Sequence, residues 1–252
     1  QITIGASYYN PQNYPEYEFS DQFISAYTLR AKNSKPSDKL LTDGLVGHWT
    51  FNEGKGLTAY DFSGNDNHGT LVGAPDWSEN RFFEEDRALE FDGSDDYINI
   101  KDGSLIGKEN NLTIETWIKW NGTSGEKAIY DESEAGGTVF RINLYNGIPN
   151  FGFYNSSSMY ATNNTTSITQ NVWYHVVAVL SSSAGMKIYV NAVEKGSNSN
   201  TFPCNRDIVH SWIGRYGQTG YNFPGLIDDV RIYNRALSPS EIKLLYESTK
   251  PY

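Results

Sequence analysis

The sequence predicts an all-β protein, a two-layer antiparallel sandwich that ends in one short helix. Alternating apolar and polar stretches recur along the chain, separated by turn-forming pairs such as Asp92-Gly93 and Asn146-Gly147. Aromatic residues make up 14% of the chain and include 18 tyrosines, a composition that favours strands. A clear helix start appears only near the C-terminus, where Ser238 precedes Pro239 and Glu241 completes a capping box.

Length and charge limit the possible functions. A chain of 252 residues can bury one substantial core, and it contains no apolar run near the roughly 18 residues needed to span a bilayer. The formal net charge of −10 argues against nucleic-acid binding, which needs clustered Lys and Arg, and suits a divalent cation or a neutral polymer better. Glycosylation sequons favour an extracellular or cell-surface location; they begin at Asn111, Asn121, Asn155, Asn163 and Asn164.

Residues 1–43 differ from the rest, and we predict that they form a strand pair ahead of a main domain at residues 44–252. Aligning Pro36 with Pro239 places residues 23–29 on residues 226–232. This match indicates either the remnant of a preceding repeat or a chance similarity between two strands that end at a proline. The segment is also a candidate for strand exchange, because exposed strands recruit other strands through unpaired backbone groups.

The main domain begins with a predicted strand at residues 44–51, and the run at 172–180 is apolar enough for a strand covered on both faces. Further strands are predicted at 88–100 (strand, turn, strand), 112–120, 138–145, 150–154, 186–190 and 193–195. The acidic run 131–134 is expected to be solvated. Four tryptophans in strand patterns are expected in the core: Trp49, Trp117, Trp173 and Trp212.

The closing strand, residues 226–233, carries two adjacent acids. Strict alternation divides it into one face with Leu226, Asp228, Val230 and Ile232, and another with Ile227, Asp229, Arg231 and Tyr233. Burying a carboxylate without a partner costs about several kcal/mol. Asp228 is therefore expected to have a positive or N–H partner, either a cation, backbone groups, or an arginine such as Arg141 or Arg231.

Six ordered motifs resemble the concanavalin A-like, laminin G-like jelly-roll family. They are GLVGHWTF (44–51), DFSGNDNHGT (61–70), ALEFDGSDDY (88–97), LTIETWI (112–118), WYHVV (173–177) and GLIDDVRIYNRALS (225–238). The resemblance implies a two-sheet jelly roll of the type found in extracellular lectins, adhesins and modules attached to carbohydrate-active enzymes.

The resemblance also implies a structural calcium ion shared by an early loop and the last strand. Carried onto this chain, its ligands are Asp61, Ser63 or Asn65, and Asp228, with Glu53 as a possible addition. Calcium takes roughly six to eight oxygen ligands, and loop 61–67 is rich in them. In the alternative interpretation Asp61 and Asn65 cap turns through the backbone. A second acidic loop, residues 92–96, is interpreted as a solvated turn in preference to a calcium site.

Exposed aromatic rings beside hydrogen-bonding side chains are the usual components of sugar-binding sites. Tyr216 and Tyr221, in the loop before the closing strand, are the best candidates. Tyr154, Asn155 and Tyr160 form a second candidate group. The alternative for each tyrosine is a half-buried framework position.

Catalysis has little support in the sequence. Glycosidases of related folds usually place their carboxylates in a Glu-x-Asp-x-x-Glu pattern, which this chain lacks. We predict a non-catalytic extracellular recognition or adhesion module, supported by calcium, that binds a carbohydrate or a cell-surface protein. The alternative is a structural subunit of a surface fibre or array, assembled with other copies through residues 1–43. A glycoside hydrolase is the third possibility.

Overall fold

The computed structural model describes residues 41–101, 105, 110–122, 124–134, 137–155, 158–201, 208–217 and 221–251. Within these ranges only the backbone is described for residues 101, 134, 137–138, 154–155 and 158–160. The predicted strand pair, repeat and strand-exchange roles belong to residues 1–43, of which residues 1–40 lie outside the described residues.

The described residues form strands and one C-terminal helix, α1 (Pro239–Thr249). In chain order the strands are β1 (Leu45–Trp49), β2 (Thr58–Ala59), β3 (Gly69–Val72), β4 (Asp76–Ser78), β5 (Ala88–Asp92), β6 (Tyr97–Lys101), β7 (Leu112–Trp120), β8 (Glu126–Glu134), β9 (Gly137–Tyr145), β10 (Ile148–Asn155), β11 (Ser158–Ala161), β12 (Trp173–Ser181), β13 (Gly185–Val190), β14 (Val193–Asn198), β15 (Ile208–Ile213) and β16 (Pro224–Tyr233).

The strands pair into two antiparallel sheets. The first sheet has the order β14-β13-β12-β7-β16-β5-β4, with β1 also paired to β16. The second has the order β11-β10-β9-β8-β15-β6-β3-β2. These two sheets confirm the predicted two-sheet sandwich. The closing strand β16 lies in the middle of the first sheet, between β7 and β5.

The inward-facing residues of both sheets form one large apolar core. Its members include Trp49, Phe91, Ile118, Phe140, Phe153, Val176 and Ile227, all essentially inaccessible to solvent. Two tryptophan predictions are wrong, because Trp173 and Trp212 are only half-buried.

The acidic run 131–134 is also not the solvated segment that was predicted, because it forms the end of β8. Glu132 is fully buried, and its Oε1 accepts hydrogen bonds from the Tyr130 hydroxyl (2.9 Å) and the Ser211 hydroxyl (3.1 Å). Asp131 is fully buried as well and accepts a hydrogen bond from the Ser133 hydroxyl. These hydroxyl donors offset part of the cost of burying two carboxylates on one strand.

A β-bulge interrupts the alternation of β16. The register against β7 shifts between Asp228 and Arg231, and Asp229 has a φ of 55°, in the left-handed region. Ile227 and Val230 consequently both face the core although they are three positions apart. The predicted faces are therefore wrong: both aspartates lie together on the outer surface of the first sheet.

Helix α1 packs against this outer surface. Ile242 and Leu245 join a second apolar cluster with Val177, Val179 and Tyr233. The predicted capping box is present, since the Ser238 hydroxyl accepts from Glu241 N and the Glu241 carboxylate accepts from Ser238 N. The two aspartates of the bulge are thus covered by protein.

Candidate functional site

Loop 61–67, the first predicted calcium loop, is organised around the buried carboxylate of Asp61. Its Oδ1 accepts hydrogen bonds from His48 N (2.8 Å) and Ser63 N (2.8 Å). Its Oδ2 accepts from Ser63 Oγ (2.8 Å) and Asn67 N (3.0 Å). The carboxylate therefore fastens the loop to β1 and closes its turn, as in the alternative interpretation.

Two other predicted ligands, Asn65 in this loop and Glu53 ahead of it, also bond to protein groups. Asn65 donates through Nδ2 to the carbonyls of Val46 (3.1 Å) and Leu45 (3.2 Å). Glu53 accepts from Tyr60 N at 2.8 Å, and burial raises the pKa of Glu53 to about 7. With donors directed at Asp61 on both oxygens, this set as arranged does not fit a bound calcium ion, and calcium binding by the protein stays a prediction.

Asp228, the predicted ligand on the last strand, pairs with Arg81 from the loop between β4 and β5. Arg81 Nη1 contacts Asp228 Oδ2, and Nη2 lies 3.0 Å from Asp229 Oδ2. Arg81 Nε donates to the carbonyl of Thr249 in the last turn of α1 at 2.7 Å. One expected alternative was that Asp228 pairs with an arginine, and it does. The arginine is Arg81, however, and not Arg141 or Arg231.

The same buried network extends along the outer surface of the first sheet. Arg231 bridges Glu115 and Asp229, at 2.8 Å from the latter, and His48 Nε2 lies 2.8 Å from Asp229 Oδ1. Burial alone would raise the pKa of Asp229, but Arg231, the His48 hydrogen bond and Arg81 together hold it well below its usual range. The three carboxylates of the network are buried, whereas His48 and Arg231 keep 19% and 14% side-chain exposure. Arg81 joins the network to α1 through the Thr249 carbonyl.

The second acidic loop, residues 92–96, has the hydrogen bonds of a tight turn. Asp92 Oδ1 accepts from Ser94 N at 2.7 Å, and Asp96 Oδ2 accepts from Asp92 N at 2.8 Å. Carboxylate oxygens of Asp92, Asp95 and Asp96 lie within 4.8 Å of one another. Burial raises the pKa of Asp96. The hydrogen bond from Asp92 N opposes this shift, and the neighbouring carboxylates of Asp92 and Asp95 add to it.

A row of planar side chains, which we call the aromatic row, lies on the outer face of the second sheet: Tyr97, His210, Trp212 and Arg215. His210 stacks on Trp212 with ring centroids 4.5 Å apart and an interplanar angle of 15°. Tyr97 meets Trp212 edge to face at 5.8 Å. The Arg215 guanidinium lies 4.5 Å from the Tyr97 centroid and 5.0 Å from that of Trp212. All four side chains are partly exposed.

The predicted pair Tyr216 and Tyr221 continues this surface. Their ring centroids are 4.9 Å apart, and Tyr221 is 40% exposed. The guanidinium of Arg141 lies 4.1 Å from the Tyr216 ring, so this tyrosine covers a cation of β9. The structure therefore brings the two best sequence candidates together.

Strand pairing connects the aromatic row to Tyr216, because Trp212 and the Arg141 beneath Tyr216 lie on the two strands that neighbour β8. In the second sheet, Trp212 of β15 is directly opposite Asp131 of β8, and Asp131 is opposite Arg141 of β9. Arg141 also pairs with Glu126 at 2.7 Å. The outer face of the second sheet thus presents aromatic rings beside a buried, ordered set of charged groups.

The second sequence-based group is only partly described. Tyr154, Asn155 and Tyr160 belong to the β10–β11 pair at the edge of the second sheet, where Phe153 is opposite Tyr160. Their side chains lie outside the described residues.

Sequence reasoning missed His210, Trp212 and Tyr97. His210 and Trp212 are two positions apart in a strand and therefore share a face, a spacing visible in the sequence. Trp212 was assigned to the core because a tryptophan in a strand pattern is usually buried.

The fold and this surface define a class: a β-sandwich with partly exposed aromatic and charged groups on one sheet face. A family model described as the concanavalin A-like lectin/glucanases superfamily, of laminin G type, matches residues 92–243. The chain belongs to that superfamily, whose members include both glycan-binding domains and glycosidases. Comparison with curated proteins gives no match.

Solved structures share the fold at low sequence identity. Domain 4 of AbnA, an extracellular arabinanase from Geobacillus stearothermophilus solved with arabinotriose, is 22% identical with a TM-score of 0.66 over 80% of this chain and 98% of that chain. The binding domain of Paraclostridial Mosquitocidal Protein 1 is 18% identical with a TM-score of 0.66, over 82% of this chain and 53% of that chain. Trypanosoma rangeli sialidase, solved with sialic acid, is 18% identical with a TM-score of 0.62, over 81% of this chain and 33% of that chain.

The last two structures are much longer than the match, since this chain spans about half of the toxin domain and a third of the sialidase. Within the part of the chain that is described, no helix combines the length and apolarity required for crossing a membrane.

Proposed function

We propose that this domain is a non-catalytic carbohydrate-binding module whose ligand lies along the outer face of the second sheet. The observation that carries the proposal is the aromatic row, continued by Tyr216 and Tyr221. Planar side chains bind the apolar faces of sugar rings, and adjacent charged groups orient the hydroxyls. Among the aromatic row, Tyr216 and Tyr221, the most exposed ring is that of Tyr221, at 40%.

The similar structures support this proposal. One is an arabinanase domain solved with arabinotriose, and another is a toxin binding domain. The arabinanase is extracellular, which supports an extracellular location for this domain too. The sequence lacks a Glu-x-Asp-x-x-Glu pattern, which supports a non-catalytic role. An assay for hydrolysis of the bound polysaccharide tests that role.

A glycan array followed by calorimetry on the best ligand tests the proposal. We expect Trp212→Ala and Tyr221→Ala each to weaken binding by about 1 to 2 kcal/mol, or roughly five- to thirtyfold. Phe83→Ala is the matched control, because Phe83 is an aromatic residue 81% exposed in a turn away from this face. Absence of glycan binding, or equal losses in all three variants, would contradict the proposal.

Adhesion and calcium support are finer parts of the same prediction, and a structural subunit assembled with other copies through residues 1–43 is its alternative. In an adhesive role, the domain would bind either a cell-surface glycan or a cell-surface protein. A cell-binding assay that compares the wild type with Trp212→Ala, with and without EDTA, separates glycan-dependent adhesion from calcium dependence.

A further inference from the structure

A second candidate ligand site lies at the rim of the sandwich, where loop 162–172 meets the β13–β14 hairpin. The cavity there has a volume of about 280 Å³ and is lined by Thr166, Ile168, Tyr174, Val190, Val193 and Lys195, among others. It shares no residue with the aromatic row or with the Tyr216 and Tyr221 pair. The inference therefore goes beyond the proposed function.

The cavity has an apolar wall that follows from strand pairing. Val190 and Val193 are directly opposite each other where β13 turns into β14. Val190 faces the core side of the hairpin, and Val193, 54% exposed, extends this apolar surface to the mouth. Tyr174 of β12 adds its half-buried ring, and its hydroxyl accepts a hydrogen bond from Thr169 N at 3.2 Å.

The opposite wall is held in place by the backbone. Ile168 N donates to the Gly147 carbonyl at 2.8 Å. Asn164 donates to the Pro149 carbonyl at 2.8 Å and accepts from Thr166 N at 2.9 Å. These bonds fix loop 162–172 on the second sheet, and Ser197 N of β14 in the first sheet donates to Asn163 Oδ1 of the loop at 2.9 Å. The cavity is therefore preformed, and a ligand would not have to order it.

One cation faces this cavity. Lys195 lies two positions after Val193 on β14, and among the described residues no carboxylate forms an ion pair with it. The neighbouring acid Glu194 instead bonds to Lys187 at 2.7 Å, on the other face of the hairpin. In a chain of net charge −10, an unpaired lysine at the mouth of a cavity favours an anionic ligand.

We propose that this cavity binds a monosaccharide that carries a carboxylate, a uronate or a sialate. The valine and tyrosine wall suits the C–H face of a sugar ring, and Lys195 suits its carboxylate. The hydroxyls of Thr166 and Ser167 provide hydrogen-bond partners for the sugar hydroxyls.

The test is a titration of the ¹⁵N-labelled protein with four probes: glucuronate, N-acetylneuraminate, glucose and acetate. We expect saturable shifts at the cavity residues with one or both acidic sugars, at least about fivefold weaker binding of glucose, and no saturable binding of acetate. The two acidic probes distinguish a uronate from a sialate. Equal binding of glucose, saturable acetate binding, or no binding of either acid overturns the proposal.

Two variants locate the site. Lys195→Gln is expected to weaken binding of the acidic sugar by about fivefold or more, and Lys187→Gln, on the same hairpin but facing away, is expected to leave it unchanged. Val193→Asp, an exposed change that places a carboxylate beside Lys195, is expected to abolish it. Equal effects of the two lysine variants would overturn the proposal. Trp212→Ala is expected to leave this binding intact, so failure here is distinguishable from failure of the proposed function.

Discussion

Arg81 Nη2 lies 3.0 Å from Asp229 Oδ2, although the two residues are 148 positions apart in the chain. The contact exists because a bulge in β16 turns Asp228 and Asp229 to the same side, where one guanidinium reaches both carboxylates. The same arginine donates to the Thr249 carbonyl at the C-terminal end of α1. As that turn of the helix contains no basic residue, Arg81 also supplies the positive charge that a helix C-terminus favours.

Replacement of Arg81 is expected to be strongly destabilising. Arg81→Met leaves two buried carboxylates with less compensation, and the expected loss in free energy of unfolding is about 3 to 5 kcal/mol. Urea denaturation measures it. The control Lys187→Met removes the partly exposed Lys187–Glu194 pair and is expected to cost no more than about 1 kcal/mol. A loss for Arg81→Met as small as that of the control would show that the network contributes little.

Glu115 gives the network a pH dependence. Burial would raise its pKa, but Arg231 and His175 lower it below the usual value. A carboxyl whose pKa is lower in the folded state stabilises the protein above the unfolded pKa, about 4.3, and this stability is lost as the pH falls through the folded value.

We therefore expect the wild type to lose stability in acid below about pH 4.3, and Glu115→Gln to show a shallower loss over that range. The variant is expected to be less stable at neutral pH, because Arg231 and His175 lose an ionised partner. Urea titrations at a series of pH values measure both effects. Parallel curves for the two proteins would contradict this role of Glu115.

Asp61 is expected to act through its backbone hydrogen bonds. Asp61→Ala removes the acceptor for His48 N, Ser63 N and Asn67 N, and should cost about 1 to 3 kcal/mol per buried donor left unsatisfied. Since those donors already occupy the carboxylate, we expect the loss caused by Asp61→Ala to be the same with and without EDTA. A fall in melting temperature on chelation, reversed by added calcium, would instead support the calcium prediction.

Gly196 is expected to tolerate no side chain. A Cβ at this position would lie 2.5 Å from Asn164 N, and the backbone of loop 162–172 would have to move. Gly196→Ala should therefore cost about 1 to 3 kcal/mol and reduce acidic-sugar binding in the rim cavity. Thr165→Ala, an exposed change in the same loop, should stay within about 0.5 kcal/mol of the wild type.

The sequence predicted the sandwich and its C-terminal helix because both depend on local patterns. Alternation identified strands such as β7 and β12, and Ser238 with Glu241 identified the start of α1. The faces of β16 could not be assigned correctly, because one inserted residue reverses the alternation and nothing local marks Asp229 as left-handed.

The site was predicted in part for the same reason. Tyr216 and Tyr221 lie in one loop and could be grouped from the sequence, whereas Tyr97 reaches Trp212 only through the pairing of β6 with β15. The partner of Asp228 was equally beyond sequence reasoning, since Arg81 comes from a loop 147 residues away. Long-range pairing, and not residue type, decides such contacts.

The position of α1 has a practical consequence for protein engineering. A version of the domain cut after Asn234 would uncover Trp117, whose indole stacks on Tyr246 at 5.8 Å and donates to the Thr249 hydroxyl. It would also hydrate the paired charges beneath. The exposed face of the first sheet in such a truncated protein would combine apolar and charged side chains and would favour self-association. Fusion partners and tags should therefore be attached beyond the helix.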